Sequence, residues 1–364
     1  MVGVTRGGVA GIGVVGCGNI SGGYADTVAH HEGIELVAAY DVDPLRAQAY
    51  CESFGGKAFP SFDDLLACDD VDIVLNLTPH LAHREVTEAA LRAGKHVYSE
   101  KPLAMTPDEC VELARLADDS GVRLAASPIT YMGEAQQTAW KALRDGRCGD
   151  IRVVYAEVNH GRIERWHPAP APFYAVGPLF DVGVYPLTLL TAFFGPVRRV
   201  TATADVVHAD RVAAEGPFEV TSPDWIVAVI ELGNGVLVRL TTNFYVETTR
   251  QRGLEFHGDD ASLYLGCFQE FSAEVGIGAR GEPFQPLDLV RPPYPGIDWA
   301  RGVADLAEAI RDGRPHRASP WHAAHVCEVM CAIATSAADG HTVDVASSFT
   351  PPTWEAWASP EGNR

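Results

Sequence analysis

The chain has 364 residues, 47 % hydrophobic and 21 % charged, with a formal net charge of −20. It is long enough for two domains, and its composition is ordinary for a globular protein. The acidic balance speaks against nucleic acid and anionic membrane surfaces as partners, since both would repel it.

Met1 to Val15 shows no small-residue cleavage site after a long apolar core, so no signal peptide is expected. No uninterrupted apolar run approaches the roughly 18 residues that a transmembrane helix needs. The eight cysteines (Cys17, Cys51, Cys68, Cys110, Cys148, Cys267, Cys327 and Cys331) form no C-x-x-C pair. They read as free thiols of a reducing, cytoplasmic compartment. Cys327 and Cys331, one helical turn apart, suit a core stripe.

From Ala10 to about Ser127, short apolar runs alternate with helical patterns. Strands are expected at Val9–Val15, Leu36–Asp41, Val71–Leu77, His96–Tyr98 and Arg123–Ser127. Helices are expected at 20–31, 44–54, 61–67, 80–94 and 107–120. This alternation implies a mostly parallel sheet covered on both faces.

The first strand runs into Gly16-Cys17-Gly18-Asn19-Ile20-Ser21-Gly22. Gly16 permits a tight turn, Gly18 lets backbone approach a pyrophosphate, and Asn19 and Ile20 lead into a helix N-terminus that favours negative charge. Ser21, small like glycine, fills the third position of G-x-G-x-x-G. The second strand ends at Asp41, about 20 residues on, where an acid can hold ribose hydroxyls. Val42 follows where an Arg would favour a 2′-phosphate, so NAD is expected, with Arg46 keeping NADP as the alternative. Asp43 suits a helix N-terminal acid.

The strand ending in Asn76-Leu77-Thr78-Pro79-His80 delivers Asn76, Thr78 and Pro79 to the carboxyl edge of the sheet, where ligands of such folds bind. His80 and His83 lack a third ligand, so no metal is expected. His83 reads as a capping or cofactor-side residue. Ser99-Glu100-Lys101-Pro102 then ends a strand. A Lys between Glu and Pro at such an end is placed to protrude into a cleft, and Lys101 is assigned to a hydride-transfer site.

The G-x-G turn, the acid ending the second strand, T-P-x-x-x-H (Thr78, Pro79, His83) and A-G-K-H-V-Y-S-E-K-P (Ala93 to Pro102) together resemble the glucose–fructose oxidoreductase / inositol dehydrogenase family. The resemblance is strong over the first half and looser to about residue 345. It implies an α/β Rossmann domain followed by an α+β domain with a large open, mostly antiparallel sheet. It further implies NAD(H) or NADP(H) used on sugars, cyclitols or related polyols, and a homodimer or homotetramer. By resemblance, Lys101 contacts the nicotinamide ribose and a substrate oxygen, and Glu100 orients cofactor or lysine.

A helix is expected over Glu134 to Asp145. Beyond Gly149 the pattern alternates, at 151–156, 197–207, 224–232, 235–244 and 251–257, as in antiparallel strands. Asn234-Gly235 marks a hairpin. Helices close the pattern at 298–312 and 320–338. His322 and His325, on the second, read as packing or surface residues. The resulting division is 1–128 for nucleotide binding, 129–348 for substrate and oligomerisation, and 349–364 as an extended or partly mobile tail.

Asp181 and Tyr185 precede an apolar helix expected to begin near Val182, because Pro186 tolerates only the first turn well. On one helix, their i,i+4 spacing would share a face. Many relatives carry D-x-x-x-H here. Tyr185 in place of His matches the dihydrodiol-dehydrogenase-like branch. A phenol, with its pKa of about 10, needs a nearby cation to work near neutrality, and Lys101 would supply one. Lys101, Tyr185 and Asp181 are thus the catalytic candidates, although Tyr185 also reads as a core residue flanking a helix start. Arg162, Arg165, Trp166 and His167 on one loop, with Tyr131, are candidates for binding substrate. The loop otherwise reads as a Pro-stiffened surface segment. The expected activity is NAD-dependent oxidoreduction of a sugar, glycoside or cyclitol. The alternatives are an NAD-dependent glycosidase that oxidises its substrate only transiently, and a non-catalytic sensor.

Overall fold

A computed structural model describes residues 8–359. The chain start read for a signal peptide (in part) and the last residues of the expected tail, 1–7 and 360–364, lie outside the described residues. The chain forms two compact units. One comprises the residues up to Ile129 together with Asp298–Cys327, and the other Thr130–Ile297 with the residues from Glu328 on.

The first unit contains β1 (Ala10–Val15), β2 (Ile34–Tyr40), β3 (Lys57–Ala58), β4 (Ile73–Asn76), β5 (His96–Ser99) and β6 (Leu124–Ala126). They pair in the order β3-β2-β1-β4-β5-β6, every pair parallel. β1, β4 and β5 are buried at every position, as a sheet covered on both faces requires. The helices start where local chemistry starts them. Asp43 accepts from the Leu45 N–H ahead of Pro44–Phe54. Thr106 and Glu109 form a reciprocal capping box ahead of Pro107–Ser120, which Gly121 ends at φ 67°.

The segment Asp298–Cys327, assigned from the sequence to the domain 129–348, groups with the first unit. Asp298 holds His31 at 3.0 Å, the Ala300 N–H donates to Thr27 Oγ1 at 3.0 Å, and Trp299 packs on Tyr24 with ring centroids 5.9 Å apart. Helix Arg301–Asp312 comes close enough to β5 that a Cβ on Gly302 would meet Tyr98 Oη at 2.5 Å.

In the second unit the strands are β7 (Ile151–Asn159), β8 (Val197–Asp205), β9 (Asp210–Ala213), β10 (Gly216–Glu219), β11 (Trp225–Leu232), β12 (Leu237–Asn243), β13 (Gly253–Gly258), β14 (Ala261–Leu265), β15 (Val275–Ala279), β16 (Gln285–Pro286) and β17 (Val343–Asp344). Nine of them form one sheet in the order β16-β15-β14-β13-β7-β12-β11-β8-β17, and β9 and β10 form a separate hairpin. Only β7–β12 is parallel. Alternation puts Ile226, Ala228 and Ile230 inward, while Val229 stays half exposed. Helices Glu134–Arg144 and Val184–Phe194 cover the inner face, with Trp140 stacked on Phe193 at 4.9 Å and Phe193 on Phe256 at 6.1 Å.

Two local expectations differ from the structure. The helix expected from Val182 starts earlier, at Ala171, breaks at Gly177 (φ 79°), resumes at Pro178, and passes through a π turn, Leu179–Gly183, before Val184–Phe194. Pro186 has no N–H to offer Val182, and a wider turn just ahead of it accommodates that gap. Ala171–Phe194 is long and apolar enough by composition to cross a membrane, but 83 % of its most apolar window is buried in the protein, where it serves as core. The tail, in its described part, is docked. Arg144 lies 3.8 Å over the Trp354 ring and Arg291 3.8 Å over Trp357, while the Glu355 N–H donates to Gln137 Oε1 at 3.0 Å.

His322 is buried beside His325, and burial first, then that neighbour, pushes its pKa down to about 3 from 6.5. The fold therefore holds it neutral while the unfolded chain takes up a proton as pH falls through that window, so stability is lost on acidification. His322→Gln is expected to flatten the acid side of the stability curve by up to about 1.4 kcal/mol per pH unit. Urea titrations at several acidic pH values measure this, and equal slopes for both proteins would refute it.

Candidate active site

Within the first unit the candidate residues gather at the carboxyl ends of β1, β2, β4 and β5. Gly16 has φ 92°, and a Cβ there would strike the Leu77 carbonyl carbon at 2.8 Å and Thr78 N at 2.9 Å. Only glycine fits a turn that presses against the end of β4. At Gly18 a Cβ would meet nothing within 4 Å, so the backbone faces open space. Asn19 is exposed and Ile20 half-buried at the N-terminus of helix Ser21–Val28, which has no side-chain cap. Ser21 is buried and donates to the Gly18 carbonyl at 2.7 Å, so it closes the turn as the third glycine would.

Asp41, 8 % exposed, accepts from the Cys17 N–H at 2.8 Å and the Asp43 N–H at 2.9 Å, one on each carboxylate oxygen. Its acid group is thereby aimed along the glycine turn, with lone pairs to spare for hydroxyl donors. Arg46 leans on Asp43 at 3.6 Å on the exposed surface. Burial, then the charge of Asp41, pushes the Cys17 thiol up to about 12, so it stays protonated and inert. An open glycine backbone, an uncapped helix start and an oriented acid together fit an adenine dinucleotide.

Asn76 is fully buried and committed to the β4 turn. Its amide donates to the His83 carbonyl and Thr87 Oγ1, and its oxygen accepts from the Thr78 N–H and Oγ1. It therefore shapes the turn that presents Thr78 and Pro79. His83 is buried against both neighbouring turns. Glu100 accepts from Tyr24 Oη at 2.6 Å, Ser127 Oγ at 3.1 Å and the Lys101 N–H at 2.9 Å, and Tyr98 Oη lies 3.1 Å from the same Ser127. The backbone under Lys101 is held by a buried carboxylate whose other partners come from a helix and from the end of β6. Tyr24 and Ser127 are missing from the sequence reading, because neither lies near the E-K-P triplet or belongs to a motif.

In the second unit, Asp181 and Tyr185 are both buried, Asp181 in the π turn and Tyr185 in the first turn of the following helix. The Tyr185 ring lies 6.3 Å from Phe268. Tyr131 is buried on a separate short turn. The loop after β7 carries the other four candidates. Trp166 is 56 % exposed and edge-on to His160, His167 and Phe173. Arg165 pairs with Glu247 at 2.7 Å, and Arg162 stacks 4.7 Å over Tyr245.

A buried cluster fixes this loop. Arg211 on β9, with a fully buried side chain, bonds Glu164 at 3.0 Å and Tyr174 Oη at 2.9 Å, and pairs with Asp224. Tyr174 donates to Glu164 at 2.5 Å. The Glu164 carboxyl sits below the usual range: burial opposes this, and the bonds from Tyr174 and Arg211 outweigh burial. Sequence patterning missed the cluster because its members are spread over 60 residues, on a loop, a helix, a hairpin and the segment before β11.

Residues 10–127 match the profile of the GFO/IDH/MocA oxidoreductase family, NAD-binding Rossmann fold, and residues 136–264 match the GFO/IDH/MocA C-terminal domain. The chain is 34 % identical over 306 residues to a dTDP-3,4-didehydro-2,6-dideoxy-alpha-D-glucose 3-reductase from Streptomyces violaceoruber, covering 82 % of this chain and 85 % of that one. A glycosyl hydrolase family 109 protein from Solibacter usitatus is 29 % identical over 340 residues, covering 82 % and 74 %. An NAD binding oxidoreductase from Klebsiella pneumoniae shares the fold, with a TM-score of 0.81 at 20 % identity over 93 % of this chain and all of that one.

Replacing Arg211 by Met leaves Glu164 and Asp224 buried without their cation. The expected cost is about 3–5 kcal/mol of stability, read by denaturant unfolding, and a loss within about 1 kcal/mol would refute this account of the cluster.

Proposed function

The chain belongs to the GFO/IDH/MocA oxidoreductase family and is an NAD(P)-dependent oxidoreductase; from that premise we propose that it moves a hydride between nicotinamide and a secondary alcohol or ketone of a sugar, glycoside or cyclitol. The observation that carries this reading is the Lys101 turn, fixed from below by the buried Glu100 carboxylate on the same strand-end edge as the Gly16–Gly18 turn and Asp41. The Streptomyces relative, named for reducing a keto sugar, supports the substrate class.

Gly16, Gly18, Asn19, Ile20, Asp41, Thr78 and Pro79 would hold the dinucleotide, which supplies the hydride acceptor or donor. Tyr185 holds the proton that must leave a hydroxyl on oxidation or return to a carbonyl oxygen on reduction. Lys101 lowers the cost of the phenolate and donates to the reacting oxygen as charge develops. Asp181 orients these groups or accepts from a neighbouring substrate hydroxyl. Trp166, His167, Arg162, Arg165 and Tyr131 supply the substrate wall, with aromatic faces for the apolar side of a sugar ring. Tyr185 in the place of the family's usual His matches the dihydrodiol-dehydrogenase-like branch. Asp41 with Val42 favours NAD over NADP, because a 2′-phosphate would face the carboxylate.

A second reading has its own support. The Solibacter relative is named as a glycosyl hydrolase, and the same residues could oxidise a glycoside transiently and return the hydride after elimination. Net reduction of NAD with polyols and glycosides, or net oxidation of NADH with 3-ketosugars, distinguishes the two, since a glycosidase releases aglycone with no net change in NADH.

Lys101→Ala and Tyr185→Phe should each lower kcat by about a hundredfold or more, with NAD binding retained by fluorescence titration. Near-normal turnover in both would refute the pair. Asp41→Ser should shrink the preference for NAD over NADP, measured as a ratio of kcat/KM values, by about tenfold or more. An unchanged ratio would remove Asp41 from that role.

A further inference from the structure

Both ring nitrogens of His83 face backbone carbonyls. Nδ1 lies 2.6 Å from the Pro102 oxygen and Nε2 2.7 Å from the Thr78 oxygen, and the residue is 1 % exposed. A carbonyl oxygen only accepts, so each contact is a hydrogen bond only if the nitrogen carries a hydrogen. A neutral imidazole carries one hydrogen and would set a bare lone pair against the other oxygen.

We propose that His83 is a positioning residue for Lys101: as an imidazolium it donates to Thr78 on one side and Pro102 on the other, clasping the turn after β4 to the turn that carries the lysine. The inference rests on the assignment of Lys101 to the reactive site. The clasp complements the Glu100 bond. Glu100 holds the amide of Lys101, and His83 holds the carbonyl of the very next residue, so the turn is pinned on both flanks.

The charged groups facing the ring are the Glu100 carboxylate, which favours the cation, and the Lys101 ammonium, which opposes it; His80 lies 5.9 Å away, ring to ring. Burial is the largest influence and lowers the pKa of His83, against the two carbonyl bonds and Glu100. The geometry requires two ring protons and burial makes the second one weakly held. The closed clasp therefore belongs to the acidic side, and one of its two bonds is given up as pH rises through the depressed pKa.

The test uses the full chain with 15N-labelled histidine and no added nucleotide. At the acidic end of the titration both His83 nitrogens should be protonated, and one should lose its hydrogen as pH rises, at a midpoint below that of an ordinary histidine, with the Lys101 and Thr78 amide resonances moving on the same titration. A single bare nitrogen across that range, or amides that ignore the ring, would overturn the clasp. His83→Gln keeps one donor, so its kcat relative to wild type should fall by about tenfold from the alkaline to the acidic side of that titration, with KM for NAD changing by less than about threefold. A ratio that stays flat while the ring and the amides titrate together would overturn the positioning role and trace the failure to the assignment of Lys101. Should the variant not fold, the ring and amide titrations of the wild-type protein decide the question alone.

Discussion

A carboxylate buried at the end of β5 constrains everything around it. Glu100 is 5 % exposed, and an acid in that position is tolerable only with donors on its oxygens. Tyr24 brings one from the first helix, Ser127 another from the end of β6, and the Lys101 amide the third. Losing any of them strands a polar group away from water, which costs on the order of 1–3 kcal/mol or more for a charged group. The helix that follows the glycine turn, two strand ends and the lysine turn are thus held in one register by a single side chain. The returning segment adds to this by packing Trp299 on Tyr24.

The second unit solves a similar problem with Arg211. Its sheet buries one face through ordinary alternation, and that needs no buried charge. The loop after β7 is different: it is rich in proline and aromatic residues and has no ladder of its own to hold it. Arg211 supplies the missing order by bonding Glu164 in the loop and Tyr174 in the helix that follows it, while anchored on Asp224. Trp166 can then stay exposed without the loop collapsing around it. In both units buried charge is used where backbone bonding runs out, at strand ends and in an irregular loop.

Much of the first unit was legible in residue order, because its signals are local. The strand–helix alternation, Asp43 as the acid opening one helix, and the Gly16–Gly18 turn all act within a few residues of themselves. The parts that escaped are those whose cause lies far along the chain. Nothing near Tyr24 announces a partner 76 residues away, and nothing in Asp298–Cys327 says that it packs with the first unit. The tail misled for the same reason. Proline and serine read as a loose end, while Trp354 and Trp357 find arginines more than sixty residues earlier to stack on.

Sequence alone determined the parallel dinucleotide-type sheet and the alternating sheet that follows it, and pointed to Gly16, Asp41 and Lys101 at the strand ends, since each of these follows from short-range sterics, periodicity or motif. Tertiary structure decided what holds those residues still: Asn76 as the organiser of its turn rather than a free donor, His83 set between two carbonyls, and Arg211 closed inside the second unit. Hydrogen-bond satisfaction in a dry interior depends on which atoms the whole fold brings within about 3 Å, and no local pattern of residues encodes that.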